Sequence, residues 1–248
     1  MGRDITVPSV RLAAAAKIAA ALLYDGEDLS DLTAIDVGCD HAKLAIYLVQ
    51  SGICKHVTAS DINDGPVEKA RENVSRRTLM GKPLSDYIDV VLADGLSGLE
   101  NRNANRIFIL GMGGEVISGI LDRATFIKKQ DNKGKIKFIL QPMTSEDKLR
   151  KYLLDNGYNI LDEEMVLDKE RVYAVMSVCF DGEKREYTPA ELLLGKSNIE
   201  KGGELFVRQL ERRIRITNKA ISERKTADLD CTELEELLCE MMNIKERE

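Results

Sequence analysis

The chain has 248 residues, 44% of them hydrophobic and 31% charged, with 36 basic against 42 acidic side chains. That length suits one large domain, or one domain with an appendage, and the composition excludes a disordered tail. Aromatics at 5% with no tryptophan exclude a wall of stacked aromatic platforms, and a net charge of −6 excludes nucleic-acid binding by bulk charge while allowing a local basic face.

A first helix is predicted from Ser9 to Tyr24, with Ser9 as N-cap and Ala, Leu and Ile along its length. Its apolar stretch from Ala13 to Leu23 is interrupted by Lys17 and is too short to span a bilayer. The start of the chain has no apolar run followed by a cleavage site, and the five cysteines (Cys39, Cys54, Cys179, Cys231 and Cys239) form no C-x-x-C pair. The expectation is a cytoplasmic protein with reduced thiols and no membrane partner.

Strand and helix patterns then alternate. Thr33–Val37 precedes a helix from His41 to Gln50, and His56–Ser60 precedes a helix opening at Pro66. Strands at Ile88–Leu92 and Ile107–Leu110 lead to a helix from Glu115 to Ile127. Lys137–Leu140 leads to a helix from Ser145 to Asn156, and two strands, Glu164–Asp168 and Val172–Phe180, close the series. Short apolar strands alternating with helices predict a parallel sheet covered on both faces. The last two strands are too close for a crossover helix and should pair as an antiparallel hairpin. This is the element order of an α/β, class I (Rossmann-like) methyltransferase sheet; a doubly wound dinucleotide fold would end on another βαβ unit.

After Phe180 the stretch DGEKREYTP reads as a polar turn. From Glu204 to Glu248 the pattern is helical, with a break near Thr226–Cys231, and its apolar spacing suits an antiparallel helix pair. The expected division is a methyltransferase domain over residues 1–180 and a linker with a small helical coiled-coil domain over 181–248. Between Lys201 and Lys225 eight basic side chains face three acidic ones, whereas residues 226–248 carry eight acidic and two basic. Either the two helices neutralise each other, or the first presents Arg208, Arg212 and Arg215 to phosphates.

Candidate chemistry sits where strands end. The first strand runs into Asp36-Val37-Gly38-Cys39-Asp40-His41, where Gly38 lets the backbone approach a ligand. Asp40 occupies the place of the second glycine of a phosphate-cradling loop, so the loop suits a cation such as the ammonium and sulfonium of S-adenosylmethionine. Asp61, followed by Ile62, can accept both ribose hydroxyls of a nucleoside, and Asp94 the exocyclic amino group of an adenine beside Gly95. Gly111-Met112-Gly113-Gly114 gives a shelf nearly free of Cβ atoms, on which a flat base can lie next to the reactive methyl group. Gln141-Pro142 after the fifth strand offers a substrate contact or a turn. Neither histidine has a partner at metal-ligand spacing, so no metal is expected. Cys39 reads as a packing residue.

The stretches DVGCDHAKLAIYL, ASDINDGPVEKARENV, ADGLSGL, ILGMGGEVISGIL, LQPM and LRKYLLDNGYNI resemble the bacterial tRNA (adenine(22)-N1)-methyltransferases, the TrmK family. The likeness runs in order from Arg11–Leu12 to Tyr173, and the charged tail is similar to that family's C-terminal coiled coil. It implies S-adenosylmethionine as donor, S-adenosylhomocysteine as product, and methylation of N1 of an adenine in the D-loop region of tRNA. By position, Asp40 and the backbone of Gly111, Met112 and Gly113 are the candidates for catalytic roles. Donor contacts would come from Asp36, Gly38, Cys39, Asp40, His41, Asp61, Ile62, Asp94, Gly95 and Gly111. Substrate contacts would come from Arg11, Gly114, Gln141, Pro142 and the three tail arginines, in a monomer or weak homodimer. Two departures are Met143, where the family more often has Asn, and Ala45, where it has Pro. The competing readings are a small-molecule methyltransferase whose tail dimerises, and a non-catalytic nucleoside-binding module whose tail recruits a partner.

Overall fold

The computed structural model describes residues 9–21, 28, 31–129, 132 and 134–247. The apolar, β-branched segments form β1 (Thr33–Val37), β2 (His56–Asp61), β3 (Ile88–Leu92), β4 (Arg106–Gly113), β5 (Lys137–Thr144), β6 (Tyr158–Asp168) and β7 (Arg171–Phe180). They build one sheet in the order β3-β2-β1-β4-β5-β7-β6. The first five run parallel, and β7 is antiparallel to both β5 and β6. Only Lys169 and Glu170 separate β6 from β7, so the chain can only turn straight back, and β7 fills the slot beside β5. The class I methyltransferase sheet expected from the element order is therefore the observed one.

Helices α1 (Val10–Ala21), α2 (Lys43–Gln50) and α3 (Asp64–Ser75) contribute to one apolar core, and α4 (Gly114–Arg123) and α5 (Glu146–Asp155) to the other. Strand alternation sorts side chains between them: Phe108 and Ile139 enter the first, Ile107, Ile109, Phe138 and Leu140 the second.

Several boundaries differ from the sequence expectation. The end of the first predicted helix, at 22–24, lies outside the described residues. The helix expected at His41 begins at Lys43, because Asp40, His41 and Ala42 are left-handed. α3 starts at Asp64, two residues before Pro66, which takes its first turn. The glycine stretch after Leu110 is not a free turn: β4 continues through Gly113 with a bulge at Gly111, whose φ is +76°. β5 likewise runs on through Gln141, Pro142 and Met143 to Thr144. α4 ends at Arg123, and a separate 3-10 turn covers Thr125–Lys128. Thr78–Leu79 and Lys82–Pro83 make a two-residue hairpin ahead of β3 that the sequence pattern does not reveal.

The end of the polar stretch after Phe180 is a helix start. Thr188 and Glu191 form a reciprocal capping box around Pro189 and open α6 (Pro189–Leu194), followed by α7 (Lys196–Lys201), α8 (Glu204–Thr226) and α9 (Thr232–Lys245). Ion pairs Glu211–Lys245 at 3.0 Å and Lys225–Glu235 at 2.7 Å cross between the last two helices in antiparallel register. These helices share a small core around Leu194, Phe206, Leu210 and Met241. The tail is docked on the sheet by a buried pair: Arg150 Nε of α5 meets Glu163 Oε1 of β6 at 2.7 Å, and the same guanidinium donates to the Leu192 carbonyl of α6 at 2.8 Å. Replacing Arg150 by Ala leaves the Glu163 carboxylate buried and alone, an expected loss of about 3–5 kcal/mol. Urea denaturation measures it, and a loss under about 1 kcal/mol would contradict this reading.

Candidate active site

In an open parallel sheet, ligands bind at the carboxyl ends of the strands where strand order reverses. Here that point lies between β1 and β4, and a cavity of about 780 Å³ opens there. Asp36, Gly38, Cys39, Asp40, Asp61, Ile62, Asp94, Gly95, Gly111, Met112, Arg11 and Gln141 all line it. Register explains the convergence, since Val37 pairs with Ser60, Asp61 with Leu92, Val37 with Ile109, and Leu110 with Gln141. One rim of the sheet therefore carries the ends of all five parallel strands.

The acidic side of the cavity is electrostatically strained. Asp36 is buried, and its Oδ2 has no hydrogen-bond partner. Burial pushes its carboxyl up to about 7, the nearby Asp61 and Asp40 carboxylates push the same way, and the Ala45 N–H opposes them. Asp61 accepts from the Asn63 N–H at 3.0 Å, which fixes the turn into α3. Asp40 meets Lys43 Nζ at 3.2 Å and His41 Nε2 at 3.7 Å. Asp94 is engaged by Arg123 at 3.3 Å, a cation of α4 that the sequence reading did not include. Burial also raises the Cys39 thiol, to about 12, so it is inert as a nucleophile.

Glycine is required at two places on this wall. Gly38 has φ +71° and a Cβ there would overlap the Met112 methyl group; Gly95 has φ +60° and a Cβ would press on Ile120. A flat or charged ligand can therefore approach the backbone between β1 and β4. An unpartnered buried carboxylate oxygen, a Cβ-free cradle and three further carboxylates form a donor set suited to an ammonium, a sulfonium and a nucleoside diol, so the residues present fit S-adenosylmethionine.

The opposite wall comes from α1 and β5. Arg11 Nε pairs with Asp168 at 2.7 Å, its Nη1 donates to Gln141 Oε1 at 3.0 Å and reaches Met143 Sδ at 3.1 Å, and its guanidinium lies 5.1 Å from the Tyr173 ring centre. The Gln141 oxygen accepts from Arg11 while its NH2 donates to the Pro142 carbonyl at 2.7 Å, so both ends of the amide are held within the protein. Met143, the departure from the family pattern, lines the cavity too, as do Ser9 and Leu12; Lys43 and Val116 join them without a signal in the sequence. Val116 is 55% exposed on the first turn of α4, beside the glycine stretch.

Other expected residues lie elsewhere. His41 is outside the cavity wall, with its carbonyl bound by Asn73. Gly113 and Gly114 do not line it either. Gly114 is buried, and a Cβ there would strike the Ser145 carbonyl, so its demand is helix-to-turn packing. Pro142 is buried within β5. Arg208, Arg212 and Arg215 are exposed on α8 and do not line the cavity; Arg208 reaches the Glu170 carbonyl at 3.5 Å. Among the described residues no cluster could hold a metal ion and no helix is long and apolar enough to cross a membrane.

The sequence model of the TrmK family, tRNA (adenine(22)-N(1))-methyltransferase, matches residues 34–245. A Bacillus subtilis tRNA (adenine(22)-N(1))-methyltransferase is 27% identical over 221 residues, 85% of this chain and 88% of the relative. The crystal structure of the B. subtilis m1A22 tRNA methyltransferase TrmK superposes with a TM-score of 0.76 at 26% identity, covering 98% of this chain and 99% of that one. A Streptococcus pneumoniae protein solved in complex with S-adenosyl-L-methionine gives 0.74 at 26% identity, covering 94% and 100%.

Asp36 has a stability signature. Its folded carboxyl titrates about 7 against an ordinary value of 3.8, so between those pH values the folded state binds more protons than the unfolded one. Stability should therefore fall as pH rises from about 4 to 7 and level off above. Thermal midpoints across that range should show the fall in the wild type and a clearly smaller one in Asp36→Asn; equal falls would exclude Asp36 as its source.

Proposed function

The chain belongs to the TrmK family, and we propose that it transfers a methyl group from S-adenosylmethionine to N1 of adenine 22, in the D-loop region of tRNA. The carrying observation is the convergence of Asp36, Asp40, Asp61 and Asp94 with the Gly111 bulge on one cavity at the strand-order reversal.

The bound donor supplies an electrophilic methyl carbon on a sulfonium. Asp36, with its free buried oxygen, and Asp40 hold the cationic end; Asp61 takes the ribose hydroxyls; Ile62 and Gly95 flank the adenine of the donor, with Asp94 accepting its amino group once Arg123 yields. The Asp94–Arg123 pair is exposed, so exchanging it costs little.

Adenine N1 carries its own lone pair, so no strong base is required. The chain must hold N1 in line with the methyl carbon, and that alignment supplies most of the acceleration. The Gly111 backbone, bent by the bulge, and Met112 form the shelf on which the target base lies. Because the ring becomes cationic, a carbonyl or carboxylate accepting from its amino group favours the transition state. With the Gln141 oxygen held by Arg11, backbone carbonyls of the glycine shelf and Asp40 are the remaining acceptors. A paired or stacked adenine has to leave its stack first.

The tail supplies the RNA contact that the acidic cavity cannot. Arg208, Arg212 and Arg215 recur at helical spacing on one exposed stripe of α8 and are not themselves members of the Glu211–Lys245 and Lys225–Glu235 pairs that join it to α9. This supports a division of labour near residue 180, with donor chemistry before it and phosphate contacts after it. Conversion of labelled donor and unmodified tRNA into N1-methyladenosine at position 22 tests the assignment. Methylation only of free nucleosides or metabolites would select the small-molecule reading, and tight donor binding without turnover the non-catalytic one.

Two substitutions separate the parts. Asp61→Ala should weaken donor binding at least about ten-fold in calorimetric titration, since the ribose loses its paired acceptor. Reversing the three tail arginines to Glu should weaken tRNA binding, and flatten its salt dependence, without altering donor affinity. Loss of both affinities, or of neither, would remove α8 from the RNA surface.

A further inference from the structure

Between β1 and α2 the backbone does something found nowhere else among the described residues. Asp40, His41 and Ala42 have φ of +30°, +67° and +58°, three successive non-glycine residues in the left-handed region; Met80, Asn103, Ser145, Lys169 and Asp228 each stand there singly. Side chains resist this conformation, and a run of three persists only when the surroundings impose it. The turn is bounded on the sheet side by the Gly38 and Cys39 N–H groups, which both donate to the Ser60 carbonyl at 2.8 and 2.9 Å. On the helix side the Asn73 side-chain amide of α3 donates to the His41 carbonyl, in the middle of the run, at 3.1 Å.

We propose that Asn73 is a positioning residue: by holding the His41 carbonyl it keeps the left-handed turn in place and so presents the Asp40 carboxylate to the donor cavity. Asn73 itself does not line that cavity, whereas Asp40 does. α3 leaves the sheet directly after Asp61, so the same helix that begins at the ribose acceptor returns, three turns on, to brace the other carboxylate. Asn73 thereby ties the spacing of Asp40 and Asp61 to one rigid element. This inference rests on the reading that the turn faces S-adenosylmethionine, and it adds the group that shapes it.

The test is a double-mutant cycle on the full chain, with S-adenosylmethionine titrated calorimetrically into wild type, Asn73→Ala, His41→Gly and the double variant. Glycine adopts the φ of position 41 without resistance, so it should relieve the turn of its need for the brace. In the wild-type background Asn73→Ala should weaken donor binding about ten-fold, or about 1.4 kcal/mol. In the His41→Gly background the same change should cost less than about three-fold. With tRNA as acceptor, the KM for donor should rise while kcat stays within about two-fold. Asn73→Ser, whose hydroxyl falls short of the carbonyl, serves where the alanine variant fails to fold cooperatively. Unchanged affinity in Asn73→Ala, or an equal loss in both backgrounds, overturns the proposal while leaving the donor site intact. A wild-type chain that does not bind the donor overturns the underlying reading and this inference with it.

Discussion

Crowded negative charge at the open edge of a parallel sheet is the constraint from which the rest of this molecule follows. Asp36, Asp40 and Asp61 are carried to one rim by strand register, and the innermost is buried with an oxygen left without a partner. Such an arrangement costs stability in the free protein, which is why the Asp36 carboxyl holds its proton up to about 7. Each left-handed non-glycine residue in the adjoining turn adds about 1–2 kcal/mol of its own. Strain and repulsion at one place are characteristic of a site organised for a ligand, here one bearing positive charge.

The same charge explains why the chain needs its tail. An RNA approaching the cavity meets carboxylates, so attraction to phosphate has to come from elsewhere. In the proposed reading α8 provides it on a stripe of three arginines, while a neighbouring arginine, Arg213, turns inward to Glu146 at the start of α5 at 3.6 Å. One helix thus faces outward with some of its cations and is anchored with another. The small core around Phe206 and Leu210 is too limited to stand alone, and polar ties join it to the rest of the molecule: the Arg150–Glu163 pair with its reach to α6, the Arg213–Glu146 pair, and Lys201 bonded to Asp162 and the Glu163 carbonyl of β6.

Much of this was legible in the sequence because strand periodicity and strand-end aspartates are local signals. Asp36 is the next-to-last residue of β1, Asp61 ends β2 and Asp94 stands two residues past β3, and register does the rest. What was not legible depended on partners distant in the chain. Gly111-Met112-Gly113 reads as a turn by composition, yet pairing with β5 keeps it in the sheet as a bulge, and Gly114 opens α4. Position 41 reads as helix, and nothing in Asp-His-Ala announces a left-handed run; it takes Asn73, 32 residues away, to hold it. The occupation of Gln141 by Arg11 spans 130 residues, and that of Asp94 by Arg123 spans 29. For Thr188–Pro189 the signal was present as a capping box, but proline after a polar stretch was read as the end of a turn rather than the first turn of a helix.

Methylation at adenine N1 moves a positive charge without creating or destroying one. The sulfonium becomes a neutral thioether as the neutral ring becomes a cation, so the reacting centre carries one unit of charge before and after. A rim of carboxylates attracts that charge at both ends of its path and therefore binds ground state and transition state to similar extents. Binding of that uniform kind lowers the concentration of donor required but does not raise the turnover number. The rate must come from features that distinguish the two states: the in-line placement of N1, and acceptors on the base side that strengthen as the ring gains charge. In the proposed mechanism those features belong to the bulged, Cβ-poor end of β4, with Asp40 alone among the aspartates as a further acceptor for the base, and it is on that side of the cavity that the chemistry is decided.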